Sequence, residues 1–372
     1  MNELESAIDL INSGEAFNRQ DRLAEALAQY DQAVQILTRL VEQEHLTNLT
    51  HQLILALCNR GLVVRRQNKL LEALTSYDKA IQLMRPRLEA SLTEIEAEGA
   101  AMTFSGRGVV VELLGWKSEA LESHNGAVAM YRQLVEKTGK EEYVEYLGRA
   151  LMNKAGAFDA LKQYECVLEC DQEVVDIRQK QVEQDGLETR GDGLIRALWG
   201  KGLALDHLER CEEALAVYDS AIGLCRELID RHQQTEVTND LAGVLLVKAK
   251  ALRKKKQWEP ASGCCSESVA LYEALLSEGK ELFRVDLLES LRIHFDLSQI
   301  RDDWNCAAQD AARFVDYTDQ FLVGKRFSEN VTAEIDRFAE QLKELSEEQR
   351  EQLYGHLGER EQAVRTVLSR LS

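Results

Sequence analysis

Eight cysteines and seven histidines are the side chains of this chain best suited to bind a metal or attack a substrate. Cys166 and Cys170 stand four residues apart, which puts both on one face of a helix. A zinc site needs about four nitrogen or sulfur donors, and no histidine or further cysteine lies near that pair in the sequence. Cys264 and Cys265 are adjacent, so their side chains diverge. The histidines, His45, His51, His124, His207, His232, His294 and His356, are scattered, and none belongs to an HExxH pattern. No serine or cysteine has a nucleophile-elbow context. Gly324-Lys325 lacks the preceding glycine of a phosphate loop. The expectation is therefore no catalytic residue, no metal and no cofactor. Cysteines dispersed through a long chain fit free thiols in a reducing cytoplasm.

Composition points away from several other classes. The net charge of −19 repels nucleic acid phosphates and anionic lipid, so neither is an expected partner. The one dense basic run, Arg253-Lys254-Lys255-Lys256, reads as a solvated helix end. No run reaches the length of a membrane span, and the acidic start Met1–Ser6 does not read as a secretory leader. Only 2 prolines interrupt the chain, so long helices are permitted. Aromatic residues make up 6%, low for a sheet-rich protein.

The elements that would position any site come from a repeat. Glu-Ala-Leu followed by Tyr-Asp occurs at Glu25–Asp31, Glu72–Asp78 and Glu213–Asp219, with Glu119-Ala120-Leu121 leading to His124-Asn125. Weaker copies place Cys166, Ala261 and Ala308 at the alanine position, giving anchors at 26, 73, 120, 166, 214, 261 and 308. Twelve residues before the anchor stands a small residue, Gly14, Gly61, Gly108, Gly202 or Ala249, with Ala155 in the shorter fourth copy. Seven after it come Ala33, Ala80, Ala127 and Ala221. Small residues at matched places let two helices approach closely. Each unit thus reads as a helical hairpin that buries its apolar faces only by stacking on its neighbours.

This pattern resembles the tetratricopeptide repeat, whose unit of about 34 residues is about 13 shorter than the one here. The added length falls between the second helix of one unit and the first of the next, with turns near His45, Gly139, Gly186, Gln233 and Gly279. The resemblance implies an all-α, right-handed superhelical solenoid of antiparallel helix hairpins: seven elongated repeats over residues 1–327, then capping helices over 328–372. In the cap, Ile335, Phe338, Leu342 and Leu345 form one apolar stripe, and Ser346 with Gln349 reads as a capping box. A last stripe, Ala363, Val364, Val367, Leu368 and Leu371, offers a surface for a partner or a second copy of the chain.

The resemblance also implies that first helices line a concave, ligand-holding groove. The candidate lining residues are Ile11, Cys58, Leu62, Arg149, Met152, Arg196, Trp199, Leu203 and Leu246, apolar in the first half and basic near Arg149 and Arg196. Trp199 is the leading hot-spot candidate, since tryptophan is enriched in that role. A basic column, Arg60, Arg107, Lys154, Lys201 and Lys248, runs beside an acidic or polar one, Asp31, Asp78, Asn125, Asp171, Asp219 and Ser266, and is expected to form ion pairs within repeats. The expected function is a non-enzymatic cytoplasmic adaptor that holds a partner's peptide or amphipathic helix. The alternatives are a peptide-responsive regulator, or a regulatory subunit acting on an enzyme through the outer face.

Overall fold

The computed structural model describes residues 3–88, 92–322 and 329–369, which form seventeen α-helices and, among the described residues, no strand. Fourteen pair as hairpins: α1 (Glu3–Arg19) with α2 (Leu23–Thr38), α3 (Thr50–Arg66) with α4 (Leu70–Leu88), and α5 (Glu94–Leu113) with α6 (Lys117–Thr138). Next come α7 (Glu141–Ala160) with α8 (Tyr164–Asp185), α9 (Leu187–His207) with α10 (Cys211–His232), and α11 (Thr238–Lys254) with α12 (Trp258–Ser277). The seventh hairpin is α13 (Arg284–Ile300) with α14 (Trp304–Leu322), followed by α15 (Glu329–Glu344), α16 (Glu347–Leu357) and α17 (Glu361–Ser369). The chain divides into two compact units, Met1–Ile177 and Arg178–Ser372. The boundary expected at 327/328 falls outside the described residues.

Each hairpin reverses through a short turn whose central residue is left-handed: Asp21, Asn68, Gly115, Lys162, Glu209, Lys256 and Asp302, with φ between 57° and 80°. The turns between repeats use the same device at His45, Gly139, Gly186, Gln233 and Gly279, the five places where turns were expected. The hairpin turns recur every 47 residues until the last step of 46. Counting from them corrects two anchors. Val167, buried, takes the place assigned to Cys166, which is only half-buried, and Ala307 takes that of Ala308. The fourth repeat is therefore not short, and the place four residues after its anchor, a tyrosine in the clearest copies, is held by Asp171.

That register makes a rule of size visible. In four repeats the second helix presents a ring, Tyr30, Tyr77, His124 or Tyr218, against Gly14, Gly61, Gly108 or Gly202; a β-carbon added at any of these glycines would come under 3.0 Å from the ring. Where the ring gives way to Asp171 or Cys265, the same register sets Ala155 or Ala249 opposite. In the last repeat the sizes invert: Phe295 and Ala311 hold the two places, both fully buried. Close packing admits one large group per layer, on either helix.

The basic column pairs differently from the expectation. Arg60 binds Asp31 at 2.6 Å, Arg107 binds Asp78 at 2.7 Å and Lys248 binds Asp219 at 2.5 Å, each reaching back to the preceding repeat. Within its own repeat, as expected, Arg60 also pairs with Glu72 at 2.6 Å, and Arg60 donates to Ser76 and Arg107 to Ser123, both at 2.7 Å. Each arginine thus ties two hairpins together. Asp171 belongs to the core column instead.

In the second unit the cap closes the last repeat. Ile335, Phe338, Leu342 and Leu345 are all buried, with Phe338 stacked on Phe314 at 4.2 Å and edge-on to Phe295 at 5.1 Å. The Ser346–Gln349 capping box is formed in both directions. Val364 is buried in the same core, so this part of α17 packs on its own chain. The side chains of Val367, Leu368 and Leu371 lie outside the described residues.

Candidate functional site

In the first unit, three first helices, α3, α5 and α7, enclose a cavity of about 430 Å³. Its lining residues come from the columns that the repeat projects on that side: Cys58 and Leu62 from α3, Met102, Ser105 and Val109 from α5, Arg149 from α7. Second helices contribute from behind, with Tyr77 from α4 and Tyr131 from α6. Tyr77 is held in place because its ring lies against two glycines, Gly61 on α3 and Gly106 on α5. Tyr131 packs on Tyr146 of α7 at 5.6 Å between ring centres.

The floor is apolar and chemically quiet. Cys58 Sγ lies 2.7 Å from Thr103 Oγ1, which itself donates to the Gly99 carbonyl at 2.6 Å. Burial pushes the Cys58 thiol up to about 12, so it stays protonated at neutral pH and is no nucleophile. Burial likewise pushes the Tyr131 hydroxyl up to about 12 against a lowering hydrogen bond from Ser105.

The rim carries the charge. Arg149 is exposed and makes no ion pair among the described residues. Arg65 has its Nε enclosed without a partner. Glu98, the one acid in the lining, lies 3.3 Å from the Tyr143 hydroxyl, which donates to it. Two arginines against one carboxylate leave an excess positive charge in a chain of net −19. Asn59 and Asn153 add amide groups to the wall. The lining thus combines an apolar floor with a net positive rim.

Of the residues singled out from the sequence, Cys58, Leu62 and Arg149 meet at this cavity. Met152 is exposed on α7, outside the lining. Ile11 and Leu246 do not reach a groove surface; both are buried in their units' cores. Arg196, Trp199 and Leu203 lie in the second unit. There Arg196 pairs with Asp192 at 3.4 Å and reaches Asp240 at 3.6 Å. Trp199 is half-buried against Gly243, and Leu203 is exposed. The sequence reading missed Arg65, Tyr131, Tyr146 and the asparagines. A column of Asn12, Asn59 and Asn153 at multiples of the repeat was the available signal. Among the described residues, one group has the donor set for a metal: His294, Cys306 and Asp310 in the last repeat. No helix among them is long and apolar enough to cross a membrane.

Solved structures share this arrangement of hairpins. The apo form of RapI is 12% identical, with 98% of each chain covered and a TM-score of 0.56. BtubC (BKLC) from P. vanneervenii is 14% identical over 70% of this chain and 94% of that one, with a TM-score of 0.53. A tetratricopeptide repeat protein from Parabacteroides merdae is 15% identical over 90% of this chain and 99% of that one, with a TM-score of 0.49. The chain has the tetratricopeptide-repeat fold. No protein-family model matches it, and no curated protein matches it in sequence. At these identities the likeness carries the fold and no more, so any role for the tetratricopeptide hairpins must be argued from the cavity itself.

Proposed function

We propose that the chain is a protein-interaction adaptor that holds a peptide segment of a partner on the first-helix face of its first unit. An acidic side chain or terminal carboxylate of that segment meets Arg149 and Arg65, and a neighbouring apolar side chain enters the floor beside Cys58, Leu62 and Met102. The observation that carries this reading is the pair of arginines without counter-ions at the edge of a cavity with an apolar floor. A charge-assisted hydrogen bond to such a donor contributes about 1.5–3 kcal/mol, enough for selectivity without a large interface. Chemistry on the bound segment is not part of the proposal, since the buried thiol is held protonated.

The test is a tethered array of random octapeptides probed with the labelled full-length protein. Expected is enrichment of Asp or Glu within a few residues of Leu, Ile or Phe, lost in Leu62→Asp and weakened roughly 10-fold or more in Arg149→Ala. Enrichment of basic peptides, or a profile unchanged in both variants, would remove the cavity from consideration and return attention to the outer face.

A further inference from the structure

The last repeat departs from the others where its two helices are bridged. In the second and third repeats that bridge is Arg60 to Ser76 and Arg107 to Ser123, a base on the first helix and a hydroxyl sixteen residues later. The equivalent pair in the last repeat is His294 on α13 and Asp310 on α14, with Nδ1 and Oδ2 2.9 Å apart. Cys306 stands one helical turn before Asp310, on the same side of α14. The three donor atoms, His294 Nδ1, Cys306 Sγ and Asp310 Oδ2, lie within 4.8 Å of one another. His294 is 7% and Asp310 2% exposed, while Cys306 is half-buried, so the cluster is enclosed but opens to solvent past the sulfur.

Two features separate this cluster from an ordinary buried ion pair. First, Nδ1 and Oδ2 are close, yet neither has a properly directed hydrogen bond. Both atoms are buried and face Cys306 Sγ across the same small space. Secondly, the far side of the ring is already committed. His294 Nε2 lies 3.1 Å from Ser262 Oγ, and Arg301 donates to that same oxygen at 2.9 Å. In the tautomer that donates from Nε2 to Ser262, Nδ1 presents its lone pair toward Asp310 and Cys306. A metal-ligating histidine is typically oriented in this way by a partner on its other nitrogen.

We infer that His294, Cys306 and Asp310 form a binding site for a transition-metal divalent cation of the zinc class, clipping α13 to α14. The donor chemistry selects the class: thiolate and imidazole favour zinc and its neighbours over magnesium or calcium. Bond lengths of about 2.0–2.3 Å imply donor separations of about 3.3–3.8 Å, so closing onto an ion requires side-chain adjustment and no movement of the helices. Three protein ligands leave the fourth position to water on the solvent side of Cys306.

The experiment is titration of the reduced, chelator-treated full-length protein with cobalt(II) as a spectroscopic stand-in for zinc. Expected are one equivalent bound, a near-ultraviolet thiolate-to-cobalt band, visible bands of four-coordinate intensity, and displacement by zinc. Cys306→Ser should abolish the thiolate band, Asp310→Asn should weaken binding at least 10-fold, and Cys264→Ser should change neither. Circular dichroism confirms that each variant is folded, and a zinc-induced rise in Tm should be present in the wild type and absent in Asp310→Asn. Absence of the band in the wild type, or its survival in Cys306→Ser, would overturn the site and leave the three residues as a packed polar cluster.

Discussion

The same three columns of the first helices do different work in the two units. In the first unit they carry mainly apolar and small residues, Leu62, Met102, Ser105 and Val109, and one unpaired base, Arg149, around an open cavity. In the last repeat of the second unit the corresponding places, Glu289, Arg292 and Asp296, carry charges that are all paired. Lys250 meets Glu289 at 2.7 Å, Asp296 meets Arg253, and Arg292 meets the buried Glu334 at 2.9 Å. The repeat constrains the residues between helices and leaves the exposed columns free. The first unit leaves these places open around a cavity, and the last repeat of the second fills them with ion pairs.

Breaking a pair in the second unit tests the second half of that contrast and has the largest expected effect. Glu334 is 3% exposed and is held by Arg292 and Arg337. Arg292→Met removes one of them and leaves a buried carboxylate short of its charge partner. The expected loss is about 3–4 kcal/mol, toward the low end for a broken buried pair because Arg337 remains. A urea titration reads it as a lower midpoint, and Arg292→Met with Glu334→Leu should recover most of it. A loss below about 1 kcal/mol would mean the charges are ornamental and the two faces energetically alike.

A carboxylate in the core of the first unit gives a pH signature that the second unit should lack at the matching place, Cys265. Burial, with the charge of Asp159 adding, pushes the Asp171 carboxyl up from 3.8 to about 7. Between those values the folded state holds a proton that the unfolded state has released. This contribution therefore falls as pH rises through that window and levels off above it. Asp171→Asn should flatten this segment of the stability profile and gain about 2–3 kcal/mol at pH 8. An unchanged profile would mean that water reaches the carboxylate.

The size rule predicts an effect of about 1–3 kcal/mol from a single methyl. Gly202→Ala drives a β-carbon into the Tyr218 ring. Adding Tyr218→Cys reproduces the Ala249–Cys265 pair and should restore much of the loss. A double-mutant cycle measures that coupling, and strict additivity would show that the glycine serves the backbone rather than the ring.

How much of this was legible follows from what a one-dimensional pattern can carry. The hairpins, the five inter-repeat turns and the cap stripe were readable, because burial and left-handed turns recur at fixed intervals. The register of the fourth repeat was not. Cys166 sits beside Val167, either fits a small apolar anchor, and an aspartate in the ring position is the last residue a core pattern admits. The ion-pair columns were readable as columns, but not as links between repeats: a base such as Arg60 has an acid both ahead in its own repeat and behind in the previous one, and only stacking decides. Ile11 and Leu246 failed as groove residues for a related reason, since neighbouring helices bury them. Arg65 and Tyr131 were invisible because they enter the cavity from columns and helices that the groove argument never considered.

The smallest stability effect is the one that sharpens the comparison most. Arg149→Met changes the same kind of side chain as Arg292→Met, on the same face of the repeat, in the other unit. Arg149 is exposed and leaves no counter-ion behind, so its removal should move the urea midpoint by no more than about 0.5 kcal/mol. Its long apolar stem is replaced by another, which keeps the packing at the cavity edge. Full stability with lost peptide recognition would mark Arg149 as a residue held in reserve for a partner. A loss approaching that of Arg292→Met would show that Arg149 is engaged within its own unit after all, and the contrast between the two faces would collapse.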